Sequence, residues 1–129
     1  MSIDLNPNQT TEPEAYEFPL FLQGTGASAP TLLGRDNATV THTSTGVLKI
    51  SFPEDPGETF LGGAFGFGDA TPSVVLGWSV CFGAYTAPSG STPASLVVTI
   101  GNASNAAADL AATSKLKLAL TFKQAPALL

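Results

Sequence analysis

Charge is what this chain has least of. Asp, Glu, Lys and Arg make up 12% of its 129 residues, about half the share of an ordinary globular domain. From Ala70 to Ala108 there is no charge at all. A soluble monomer keeps more charge on its surface than this. Part of the surface is therefore expected to be covered, by copies of the chain or by a larger assembly. Cysteine is scarcer still. Cys81 stands alone, which excludes an internal disulfide and any cysteine-cluster metal site and leaves it the role of a small buried hydrophobe. A single histidine, His42, cannot build a multi-histidine metal centre. There is no Gly-x-Ser-x-Gly elbow. A Ser-His-Asp triad would have to draw on Ser44 or Ser51, which sit in an ordinary hairpin.

Long hydrophobic runs are missing too. The most apolar piece, residues 74–85, falls short of the roughly 20 residues a bilayer core needs. It contains Gly77 and Gly83, and Pro72 and Pro88 bracket it. The polar, acidic beginning is unlike a signal peptide. With a net charge of −5 the chain is not expected to bind nucleic acid. Neither a cofactor nor a membrane partner is expected.

What the chain does have is alternation. Residues 38–52, Ala-Thr-Val-Thr-His-Thr-Ser-Thr-Gly-Val-Leu-Lys-Ile-Ser-Phe, read as a β-hairpin: two runs of alternating polar and apolar residues flank a Ser-Thr-Gly turn. With Ser44, Thr45 and Gly46 as a three-residue loop, Thr43 faces Val47 and Thr41 faces Lys49. His42 then stands opposite Leu48, Val40 opposite Ile50 and Ala38 opposite Phe52, so one face collects the apolar side chains. A two-residue loop mixes the faces. Gly46 is expected in the left-handed conformation that closes such a turn, and Val40, Leu48, Ile50 and Phe52 are expected to be buried.

Further strands follow from the same period. Residues 15–22 place Tyr16, Phe18, Leu20 and Leu22 on one face, and Pro19, lacking an N–H, confines this strand to an edge. Residues 31–33 make a short strand. Residues 60–68, rich in glycine, read as a bent or bulged strand whose glycines admit a backbone or a ring; their spacing does not fit a phosphate loop. Residues 74–86 read as a central strand, with Val74, Leu76, Trp78, Val80 and Phe82 facing one way. Leu96, Val98 and Ile100 point inward from the next. The alanine-rich residues 102–113 are either one or two helical turns, with Asn105 as N-cap, or irregular chain. Residues 114–123 close the fold, Leu116, Leu118, Leu120 and Phe122 alternating with Lys115, Lys117, Thr121 and Lys123.

Seven or eight short strands with little helix predict an all-β chain, an antiparallel β-sandwich or jelly roll. Residues 1–14, with Pro7, Pro13 and three carboxylates, form an extended N-terminal arm, and residues 15–129 a single domain.

Candidate functional residues are surface residues. Two strands hide one face each in a sandwich core, and the second faces of residues 74–86 and 95–100 carry Val75, Cys81, Tyr85, Val97 and Thr99 without a charge. Val75, Tyr85, Val97 and Thr99 are thus candidates for contact with a symmetry mate. Lys115, Lys117 and Lys123 form a basic stripe, either a guard against edge pairing or a contact to an acidic protein surface. Glu54, Asp55 and Glu58 share one Pro-Gly loop and read as solvated carboxylates rather than a glycosidase pair. Trp78, Tyr16 and Tyr85 would serve a carbohydrate- or receptor-binding module by stacking on sugars, although Trp78 lies at core spacing.

The hairpin run Thr-Val-Thr-His-Thr-Ser-Thr-Gly-Val-Leu-Lys-Ile-Ser-Phe, the charge-poor middle and the closing Leu-Ala-Leu-Thr-Phe resemble small virion proteins of tailed bacteriophages. In these a Val-Thr-Arg-Thr-Gly-x-Gly-x-Tyr-x-Val-like hairpin recurs, and some decorate or cement the capsid. The chain departs from that pattern at His42, where arginine is expected, and at Leu48, where an aromatic is common. No functional residue carries over. The resemblance implies a non-enzymatic β-sandwich on a capsid surface, often a homotrimer, whose partners are its own copies and the major capsid protein. The alternative is the carbohydrate- or receptor-binding module, tail-borne or lectin-like.

Overall fold

The computed structural model describes residues 15–34 and 38–123. The arm expected over residues 1–14 lies outside the described residues. Eight strands form in chain order: β1 (Ala15–Gln23), β2 (Thr31–Leu32), β3 (Thr39–Ser44), β4 (Val47–Phe52), β5 (Thr59–Gly68), β6 (Ser79–Thr86), β7 (Ala94–Gly101) and β8 (Lys115–Lys123). They make two four-stranded sheets, sheet I in the order β2-β1-β8-β5 and sheet II in the order β3-β4-β7-β6. Every pairing is antiparallel, so the fold is the β-sandwich that the alternation predicts.

The core is the sum of the inward rows. Leu20 and Leu22 of β1 and Leu116, Leu118, Leu120 and Phe122 of β8 meet Leu48, Ile50 and Phe52 of β4 and Leu96, Val98 and Ile100 of β7. All are buried because a period of two puts each set on one side of its sheet. Phe122 gathers the rings at one end, with Phe52, Phe60 and Tyr85 each 5.4 Å away between centroids. Truncating a fully buried Leu such as Leu118 costs about 2–5 kcal/mol.

The hairpin has the expected register at Val40–Ile50, Thr41–Lys49 and His42–Leu48. Near the turn it differs: Ser44, not Thr43, stands opposite Val47, and the register shifts between His42 and Ser44. Thr43 is the extra residue, and its hydroxyl donates to the Val47 carbonyl at 3.1 Å. Gly46 is left-handed, φ +73°. Val40 is only partly buried, because β3 is the edge of sheet II. The edge expectation for Pro19 is corrected: β1 lies between β2 and β8 in the sheet order, although β2 is too short to reach the proline. Along β1, β2 pairs only with Leu22 and Gln23, so among the described residues no strand lies beside the proline on that side.

β5 is bulged between Phe60 and Gly62, and Gly63 admits a ring as expected: a Cβ there would sit 2.9 Å from the Phe82 ring. Other expectations are overturned. Residues 74–78 are not strand. Pro72–Val74 forms a 3₁₀ turn, Gly77 is left-handed (φ +81°), and β6 starts only at Ser79. Their alternation belongs to a turn, so Val75 is buried and Leu76 exposed. β6 is an edge strand, not a central one. Of the two readings left open for residues 102–113, the irregular one holds; Asn102 Oδ1 accepts the N–H groups of Ser104 and Ala106, and Asn105 takes φ +65°, a conformation an N-cap does not use. Finally, β8 lies inside sheet I, so its lysines guard no edge.

A Cβ on Gly46 would lie 2.5 Å from the Ala108 nitrogen and 2.9 Å from the Ile100 oxygen, both backbone atoms. Gly46→Val is therefore expected to lose more than about 2 kcal/mol of stability in urea unfolding, strain and clash acting together. An unchanged midpoint would contradict this packing.

Candidate functional site

The outer face of sheet I is set by the positions that alternate with its buried leucines. β1 contributes Glu17, Pro19, Phe21 and Gln23, and β8 contributes Lys115, Lys117, Ala119, Thr121 and Lys123. Across the sheet, Phe21 pairs with Lys117 and Lys117 with Gly66, while Lys115 pairs with Gly68 and Ala119 with Ala64. Small residues on β5, the edge strand of this sheet, leave that side of the face bare. A Cβ on Gly66 or Gly68 would meet nothing within 4 Å.

Two shallow hollows follow from that. One, of about 280 Å³, is lined by Phe21, Leu33, Gly66, Gly68, Lys115 and Lys117 among others. The second, of about 180 Å³, lies against Ala64, Phe65, Gly66, Lys117 and Ala119. Gly66 and Lys117 belong to both. The Lys117 ammonium sits 5.8 Å from the centroid of the Phe21 ring, a cation–π contact. Phe21 is 40% exposed and Phe65 43%. Among the described residues the only ion pair is His42 with Asp109, and none of the three β8 lysines pairs with a described carboxylate. A surface in which shallow apolar hollows lie on either side of a lysine recognises protein surfaces by shape and charge.

The candidate interface residues fall in different places. Lys115, Lys117 and Lys123 lie on the outer face of sheet I. Val97 and Thr99 lie on the outer face of sheet II, beside Lys49 and Cys81 respectively, and Cys81 is exposed rather than buried. Val75 is buried in the turn before β6. Tyr85 faces the core. The register of β6 against β7 shifts between Phe82 and Tyr85, which turns the tyrosine inward against Phe122 and Phe60. Its hydroxyl donates to the Gly57 carbonyl at 2.6 Å, and burial, the Asp55 charge and Tyr16 push its pKa up to about 12. Trp78 likewise packs on Phe67, at 6.1 Å. Both rings are partly buried and pack against the core.

Asp69 and Asp109, the charges that bracket the uncharged stretch, both hold backbone. Asp69 accepts the Thr71 N–H and the hydroxyls of Thr113 and Ser114, tying the end of β5 to the start of β8. Those bonds hold its carboxyl below the usual range, with a smaller contribution from Lys115. Asp109 Oδ1 accepts the Gly46 N–H at 2.7 Å and faces His42 Nε2 at 2.8 Å. The Gly46 bond is the first cause of its lowered pKa, and His42 adds to it. Sequence reading missed this pair because 67 residues separate its members. Glu54, Asp55 and Glu58 are exposed, and Asp55 caps the Gly57 N–H of its own loop.

Comparison of the chain with family models, with curated proteins and with solved structures finds no match in any of the three.

The Asp109 clamp has a pH signature. A carboxyl whose folded-state pKa is depressed contributes stability that is complete above its unfolded value of about 3.9 and lost as pH falls through the folded value. Asp109→Ala is expected to cost about 1 kcal/mol at neutral pH and less as pH falls below about 4, because the wild type then loses the same interaction. Urea unfolding of both proteins from neutral to acid pH checks this. A gap that stays constant with pH would rule out the charged clamp.

Proposed function

We propose that this chain is a structural virion protein of the capsid decoration or cement type, a β-sandwich that stabilises a phage head by binding between capsomers. The observation that carries the docking part is the outer face of sheet I. Exposed Phe21 and a glycine-floored apolar surface are lined there by Lys115 and Lys117, with Lys123 at the far end of the same strand, on a protein of net charge −5. The phage part rests on the likeness of the hairpin over residues 39–52 to those of small virion proteins.

In this reading the partner on the sheet I face is the major capsid protein. The sparsely charged outer face of sheet II, with Val97 and Thr99, meets sibling subunits of a homotrimer. Lys49 is the one charge in the Thr41–Lys49–Val97 row of that face, and Thr99 lies between Val47 and Cys81. Closed cyclic symmetry covers such a face without leaving a second copy of it open.

Mass spectrometry of purified phage particles is expected to find the chain, and heads carrying it are expected to withstand heating better than heads without it. Particles that contain no copies would end this reading. Sedimentation tests the trimer separately, and Val97→Lys is expected to shift the protein toward monomer.

A further inference from the structure

The two hollows on sheet I share a floor residue and a cation. Gly66 has an ordinary extended backbone and open space where a Cβ would stand, and Lys117 rises between the hollows with its ammonium near the Phe21 ring. Lys115 stands two residues along the same strand, about 7 Å away on the same face. Glu17 and Lys123 are the other charges of the β1 and β8 rows on this face. Asp69 lies near Lys115, but its oxygens are engaged by Thr71, Thr113 and Ser114.

We propose that this groove, centred on Gly66 and Lys117, binds an acidic, extended polypeptide segment of another protein. Apolar side chains of the segment fill the two hollows and a carboxylate meets Lys117. The chain carries ten carboxylates and five cations, and three of those cations lie on this one strand. An acidic segment is therefore attracted to this face and repelled by the remainder of the surface, which fixes where it docks. The small residues Gly66, Gly68, Ala64 and Ala119 let a backbone approach the sheet closely. The inference rests on the docking reading above and names the chemistry of its partner.

The probe is a synthetic peptide repeating Leu-Ser-Glu-Ser, in which every Leu and Glu projects from the same side when extended. Its control has Gln for Glu. The full chain is expected to bind the acidic peptide, more weakly as salt rises. Lys117→Glu is expected to reduce the affinity by about tenfold or more, and the Gln peptide to bind correspondingly worse. Gly66→Val fills the floor at a position where a side chain meets no atom and a β-branched residue suits the strand. It is expected to melt no lower than the wild type and to lose the peptide.

Equal binding of the two peptides, or undiminished binding by Gly66→Val, overturns the proposal. So does a self-association that Gly66→Val dissolves, which would make a second copy the occupant. Binding of a single-stranded oligonucleotide with the same dependence on Lys117, or peptide binding only after removal of residues 1–14, would also overturn it. If Gly66→Val fails to bind the peptide model yet stays on phage heads, the groove is not the capsid contact while the virion role stands. If neither wild type nor variant associates with heads but the peptide binds, the virion role fails and the groove stands.

Discussion

The turn at Gly46 is where the two sheets are fastened together. Its N–H donates to Asp109, its carbonyl accepts the Ile100 N–H at 2.7 Å, and its bare Cα lies against Ala108, whose own N–H bonds to the Ile100 carbonyl. The tip of the β3–β4 hairpin is thereby packed on the connection that carries the chain from β7 in sheet II to β8 in sheet I. That connection delivers Leu110 into the core and ends at Ser114, whose hydroxyl Asp69 receives. Only glycine satisfies both conditions at this corner, a positive φ and a backbone within contact distance. The rest of the sandwich depends on this corner because β8, the strand it leads into, is the inner strand that joins β1 to β5.

Where one face of a strand is buried, the sequence reads well. β4, β7 and β8 alternate without interruption, and each inward residue named from that pattern is buried in the structure. The physical reason is that a slip of one residue would put a whole row of leucines into water. Where the chain leaves that regime the pattern misleads. Residues 74–78 keep an apolar alternation, yet Pro72 opens a 3₁₀ turn and Gly77 adopts a positive φ, so the period has no sheet to act on. At Tyr85 the failure is subtler. One extra residue on β6, three steps from Phe82 to Tyr85 against two on β7 from Val98 to Leu96, moves the ring from the outer face to the core.

The candidate site was legible in part. Lys115, Lys117 and Lys123 stand out in the sequence as a stripe on a strand, and the structure keeps them on one open face. The groove beside them was not legible, because its walls come from β1, β5 and β8, which meet only once the sheet is formed. The same holds for the pairing of His42 with Asp109. A lone histidine at an apolar position gives no hint that a carboxylate 67 residues away holds both it and the turn it flanks.

Scarcity of charge gives the remaining charges distinct work. Asp69 and Asp109 hold backbone at the two ends of the uncharged stretch, while the β8 lysines face outward and form no ion pair among the described residues. The glycines of β5 divide in the same way. Gly63 yields inward space to the Phe82 ring, so a side chain there would collide with the core. Gly66 and Gly68 yield outward space that nothing in the described residues fills. A glycine in a strand gives up packing and conformational stability. At Gly63 the gain is visible within the fold, as the ring it admits. At Gly66 and Gly68 the fold itself shows no such gain, and the only thing these positions provide is a bare surface beside Lys117. The stability given up there is explained if that surface is itself what the strand is for.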